Sequence, residues 1–169
     1  ASALPHLHAQ PLSSDRAGLH EDMRFAAARA NSSIIAAARR EPDYEGMGST
    51  LVIAVLMHDC MTVAHLGDSR CYRWRAGALE QVTRDHCWVD EQIAMGALPV
   101  DAILDTRYRN IVTRALGIED EIDLEVHDHE ALVGDIFLLC SDGLTDMLDD
   151  AAINAHFMAG KPLGETASL

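Results

Sequence analysis

Three aspartates stand where a strand-like run gives way to a glycine-marked turn. Asp68 follows Gly67 in Gly67-Asp68-Ser69-Arg70, Asp142 precedes Gly143, and Asp146 lies four residues beyond Asp142. A carboxylate at a strand end is held by the sheet yet faces the loop surface, which suits a rigid cation site lined by oxygen. Hard Mg2+ or Mn2+ takes carboxylate, carbonyl and water ligands, and no His or Cys accompanies these three at a zinc-like spacing. Taken singly, Asp68 is equally well explained by ordinary turn chemistry, which favours Asp.

Other reactive-looking groups point to plainer roles. Gly46-Met47-Gly48-Ser49-Thr50 has the look of a phosphate cradle, but a strand follows it and no Lys precedes the Ser-Thr pair. A nucleotide-binding loop needs that Lys and a helix, so these glycines are expected to allow a close backbone approach. Cys140-Ser141 lacks a glycine-rich anion loop and an activating His, so Cys140 is expected in the core. His127 and His129 alternate as solvated strand residues do, Trp74 and Trp88 read as packing residues, and Arg70 is expected to pair with a carboxylate.

The elements that position these residues follow from periodicity. Leu19, Met23, Ala26, Ala27, Ala30, Ile34 and Ala37 recur at steps of three and four, one apolar helix face ending at the basic pair Arg39-Arg40. After a loop over Pro42 to Gly48, Leu51–Met57, Met61–Leu66, Cys71–Trp74 and Leu79–Thr83 read as four short strands in an antiparallel meander. Asp85 is a candidate N-cap for a helix to Met95 that carries Val89 and Ile93 inward and stops at Gly96. The interval from there to Gly117 reads as an excursion between strands. Ile122–Val126 and Asp135–Cys140 are expected strands, the second buried. Asp149 or Asp150 caps a helix to Met158, and Pro162 opens another.

The totals bound the class of protein. With 169 residues, 49% hydrophobic and 24% charged, the chain is one ordinary globular domain. Thirteen basic against 27 acidic residues, a net charge of −14, leave no basic run for nucleic acid. So acidic a chain repels a phosphate dianion unless a bound cation reverses the local field. Cys60, Cys71, Cys87 and Cys140 form no metal or disulfide pattern, pointing to a reducing compartment, and no apolar run is long enough to span a bilayer. A cytoplasmic protein without membrane contact is expected.

Taken together, Gly48-Ser49-Thr50, Leu66 to Arg70 (LGDSR), Leu79 to His86 (LEQVTRDH), Asn110 to Gly117 (NIVTRALG) and Asp135 to Asp146 (DIFLLCSDGLTD) resemble the bacterial branch of the protein phosphatase 2C family, in order and at compatible spacing. The resemblance implies an α+β fold, a sandwich of two antiparallel sheets flanked by helices, with a helical flap over about residues 84–116. It implies two core Mg2+ or Mn2+ ions and a third, weaker one. Asp142 matches a core-metal ligand, and Asp146 with Asp68 matches the pair that holds the third. It also implies hydrolysis of phosphoserine and phosphothreonine in protein substrates by a metal-activated water, with no protein nucleophile, often opposite a Ser/Thr kinase.

The family's opening Asp-Gly-containing metal motif and its later Asp-Asn motif are both missing, so residues 1–169 are expected to be a fragment of one catalytic domain. Two rival readings follow. One is a pseudophosphatase that uses the fold as a binding or regulatory module, and the other is an unrelated acidic interaction domain with chance motifs.

Overall fold

The structure is a computed structural model that describes residues 12–99 and 111–167. Residues 100–110 of the expected flap and most of the expected entry loop lie outside the described residues. Helix α1 (Arg16–Arg40) opens with the Asp15 carboxylate accepting from the Gly18 N–H and closes on Arg39 and Arg40. Its expected apolar face is the buried one. Leu19, Met23 and Ala27 pack with Ala64, Leu66, Leu116, Leu124 and Val126 in the larger core cluster.

Among the described residues, six strands form two antiparallel three-stranded sheets. The first has the order β1-β2-β5, from β1 (Leu51–Met57), β2 (Cys60–Leu66) and β5 (Glu125–Glu130). The second has the order β4-β3-β6, from β3 (Arg70–Arg75), β4 (Ala78–Gln81) and β6 (Ile136–Cys140). Strand β2 is buried along its whole length. The α1 cluster covers one of its faces, while Met61 and Val63 on the other join Cys71 and Phe137 of the second sheet in a smaller core cluster. Two sheets packed face to face under a helix are the sandwich expected from the motifs.

The meander reading needs correction. The four strands are two hairpins, β1-β2 and β3-β4, in different sheets. Gly67 makes the crossing, with φ +101°, where a Cβ would run into the Thr50 side chain. Thr50 Oγ1 and Ser69 Oγ, 2.8 Å apart, tie the crossing back to the entry of β1.

Three further boundaries shift. Strand β5 begins at Glu125, opposite His65, because β2 ends at Leu66 and leaves residues 122–124 no ladder to join. Leu124 is nonetheless buried and Ile122 packs on the core. Strand β6 is half-buried rather than buried, and Leu139 is exposed. Helix α2 (Trp88–Ala94) is capped by Cys87, not Asp85, whose carboxylate is committed elsewhere. Short helix α3 (Asp142–Thr145) follows β6, then α4 (Asp150–Met158), capped by Asp149, and α5 (Leu163–Thr166). Trp74 packs on Phe157 of α4 and donates to Asn154 Oδ1 at 3.0 Å, a packing role as expected.

Gly48 makes the close approach expected of its loop. A Cβ there would sit 3.0 Å from Leu116 O, beside the bridge between Ser49 and Leu116. Among the described residues no helix is long and apolar enough to cross a membrane. None of the four cysteines forms a disulfide; Cys60, Cys71 and Cys87 are buried and Cys140 is half-buried.

Candidate metal centre

The β3/β6 ladder pairs Arg70 with Cys140 at one end. The ladder ends there. Asp68 and Asp142, 74 positions apart in the chain, stand just past its end, Asp68 in the Gly67 turn and Asp142 already in α3. They are near enough for the negative Asp142 to act on the Asp68 carboxyl. Asp142 opens α3 after the extended Ser141, and Asp146 closes it, its N–H bonded to the Asp142 carbonyl at 2.8 Å. A spacing of four places Asp146 on the same helix face as Asp142.

Burial raises the Asp68 carboxyl above the usual aspartate range, and negative Asp142 and Asp85 add to the rise. Its own backbone N–H and Arg70 pull the other way. Arg70 cannot neutralise the group fully, because its guanidinium is forked onto Asp85, with Nε 3.0 Å from both carboxylate oxygens and Nη2 2.7 Å from Oδ2. Its Nη1 donates to Tyr72 Oη, which in turn donates to Asp150. The expected pairing of Arg70 is thus with Asp85, which also accepts from Gln81. Thr83, Arg84, Asp85 and Ile93 line an open depression beside this pair.

The donors are oxygen alone and carry surplus negative charge, which a hard divalent cation would relieve. Asp142 and Asp146 are exposed, and the three carboxylates do not converge within 4.8 Å of one another, so the fit to Mg2+ or Mn2+ is one of donor chemistry and charge.

A second cluster escaped the sequence reading. Buried His65 and His86 stack with ring centroids 4.7 Å apart, and His86 Nε2 lies 3.0 Å from Glu125 Oε1. Two histidines and a carboxylate suggest a metal trio, but the Gly67 N–H donates to His86 Nδ1 at 3.1 Å. That leaves the proton of the neutral ring on Nε2, where it blocks a lone pair that a cation would need. The sequence did carry a signal. His65 is the one basic side chain in β2, a polar group that must find partners once buried. Of the alternating pair expected to be solvated, His127 is exposed, whereas His129 is half-buried and its Nε2 is shielded from solvent.

A sequence profile for Protein phosphatase 2C matches residues 3–165, and the chain belongs to that family. The chain is 33% identical over 139 residues to the serine/threonine phosphatase stp of Listeria innocua, covering 82% of this chain and 55% of the relative. It is 41% identical over 130 residues to the serine/threonine protein phosphatase PstP of Mycobacterium tuberculosis, covering 76% of this chain and 25% of the relative. Among solved structures, the catalytic domain of PstP in complex with two manganese ions aligns with TM-score 0.80 and 33% identity, over 99% of this chain and 68% of that one. The chain thus spans about half the length, or less, of these two curated relatives.

Proposed function

We propose that the protein is a Mg2+- or Mn2+-dependent phosphatase of phosphoserine and phosphothreonine in proteins, and that Asp142, Asp68 and Asp146 are the metal-binding carboxylates this chain supplies. The observation that carries the reading is Asp68 and Asp142 gathered just past the end of the β3/β6 ladder, with the Asp68 carboxyl pushed up by burial and by its acidic neighbours. Divalent metals in such a site activate water and neutralise phosphoryl oxygens. The chain's own part is to hold the carboxylates rigidly on a sheet end, while Arg70 and Asp85 brace the turn between them. The family membership, and the two manganese ions of the PstP structure, support the choice of metal and substrate class. The net charge of −14 supports it too, because an acidic protein handles phosphate only where cations offset its field.

The expected setting is the cytoplasm, opposite a Ser/Thr kinase whose phosphorylated targets are the substrates. The test is hydrolysis of p-nitrophenyl phosphate and of a phosphothreonine peptide by the intact protein with and without Mn2+, beside Asp142→Ala. Mn2+-dependent turnover lost in the variant is the expected result. If the variant kept metal-dependent activity, Asp142 would lose its role. If the intact protein bound no Mn2+ at all, the fold would be serving as a binding module instead.

A further inference from the structure

Both backbone polar groups of Gly67, the residue before Asp68, are bonded to one residue. The Gly67 N–H donates to His86 Nδ1 at 3.1 Å, and the Gly67 carbonyl accepts from the His86 N–H at 3.0 Å. The His86 carbonyl in turn accepts from the Thr113 N–H at 2.9 Å. One side chain and its own backbone therefore join the turn after β2, the loop after β4 and the segment that returns toward β5.

The His86 ring is fixed on every side. His65 stacks on its face, tilted by only 21°, and His65 Nε2 donates to the Arg84 carbonyl at 2.8 Å, holding the same loop two residues earlier. Glu125, at the start of β5, sits 3.0 Å from His86 Nε2 in a bent approach that leaves this buried nitrogen short of a straight hydrogen bond. A carboxylate beside Nε2 and a backbone N–H on Nδ1 both favour the tautomer with its proton on Nε2. Gly67 takes its φ of +101° at little cost but is free to take others, so bonds from outside the turn help to hold this shape.

We propose that His86 is a positioning residue that clamps the Gly67-Asp68 turn in the shape that holds Asp68 beside Asp142, and that Glu125 sets the tautomer that lets His86 do so. The metal-ligand half of this inference rests on the phosphatase reading, whereas the clamp itself does not. Outer hydrogen-bond partners of this kind typically alter metal affinity by about tenfold or more.

The experiment uses the intact, nitrogen-15-labelled protein. Ring nitrogen shifts report the His86 tautomer, amide exchange reports the Gly67 N–H, and calorimetry reports Mn2+ binding. In the unsubstituted protein the His86 proton is expected on Nε2. His86→Leu is expected to speed Gly67 exchange roughly fivefold, the worth of one net hydrogen bond, and to weaken Mn2+ binding by about tenfold. His86→Asn, whose Oδ1 can stand where Nδ1 accepts, is expected to restore both in part. Glu125→Leu should mix the tautomers, and Glu125→Gln, which keeps an acceptor oxygen, should not.

A proton on Nδ1 in the unsubstituted protein would overturn the inference without any variant. So would a folded His86→Leu protein with unchanged Gly67 exchange. Mn2+ binding unmoved by His86→Leu, despite faster exchange, would remove the positioning role. If the clamp reads as expected while the intact protein binds no Mn2+, the phosphatase reading fails and the clamp stands.

Discussion

Asp68 and Asp142 stand just past the end of the β3/β6 ladder, whose last pair is Arg70 with Cys140, near enough for the charge of Asp142 to act on the Asp68 carboxyl. Burial raises the Asp68 carboxyl, and the negative Asp142 and Asp85 add to the rise. A carboxyl raised in the folded state resists ionisation, so at neutral pH its charge opposes folding. Asp68→Asn should therefore stabilise the metal-free protein by about 0.5 kcal/mol, a figure kept small because the group is partly solvated. The same change should reduce the rise in melting temperature that Mn2+ produces. Thermal melts with chelator and with Mn2+ measure both. A lower metal-free melting point for the variant would show that Asp68 is not strained by its neighbours.

The Arg70-Asp85 fork makes a different prediction. Arg70 presents two nitrogens to one carboxylate and a third to Tyr72, a geometry an ammonium cannot copy. Arg70→Lys should destabilise by about 2 kcal/mol, below the cost of breaking a fully buried pair because the side chain keeps some water contact. Asp85→Asn should cost a similar amount, and the double variant less than the sum of the two. Additive losses in urea unfolding would mean that the pair is not coupled.

How much of this was legible beforehand depended on whether the signal was local. Helix α1 and strands β1 to β4 were read within one or two residues, because apolar periodicity and glycine turns are written in consecutive residues. Asp68, Asp142 and Asp146 were singled out because each combines a strand end with a turn. The sheet assignment was misread because a reversal at Gly67 looks the same in sequence whether it closes a hairpin or crosses between sheets. Asp85 was misread as a cap because its true partner, Arg70, lies 15 residues back on another strand. His65, His86 and Glu125 were missed for the same reason, since each comes from a different segment.

Asn31 is a further case of a long-range partner hidden in a helix. It is buried in α1, its amide donates to the Glu119 carbonyl at 2.8 Å, and its Oδ1 accepts from the Gly117 N–H at 2.6 Å. One side chain thus ties α1 to the turn after Leu116. Asn31→Leu leaves a donor and an acceptor without partners and should cost roughly 3 kcal/mol, at the upper end for unsatisfied buried groups. Chemical denaturation checks the loss. A change below about 1 kcal/mol would mean that water replaces both bonds.

His65 links stability to pH. Burial lowers its pKa below the ordinary histidine value of 6.5, outweighing the carbonyl of Arg84 and the charge of Glu125, which act to raise it, while His86 and His127 lower it further. The unfolded chain therefore takes up a proton at a pH where the folded protein still refuses one. Stability from this group is fully present above the unfolded value near 6.5 and is lost as pH falls toward the depressed folded value. His65→Gln keeps a donor for Arg84 but does not titrate, so it removes this one contribution while the other histidines remain. Urea unfolding at about pH 7.5 and about pH 5, on either side of the ordinary histidine range, should show a smaller acid-side loss in His65→Gln than in the unsubstituted protein. Equal losses in the two proteins would place the acid sensitivity elsewhere and leave His65 a packing residue alone.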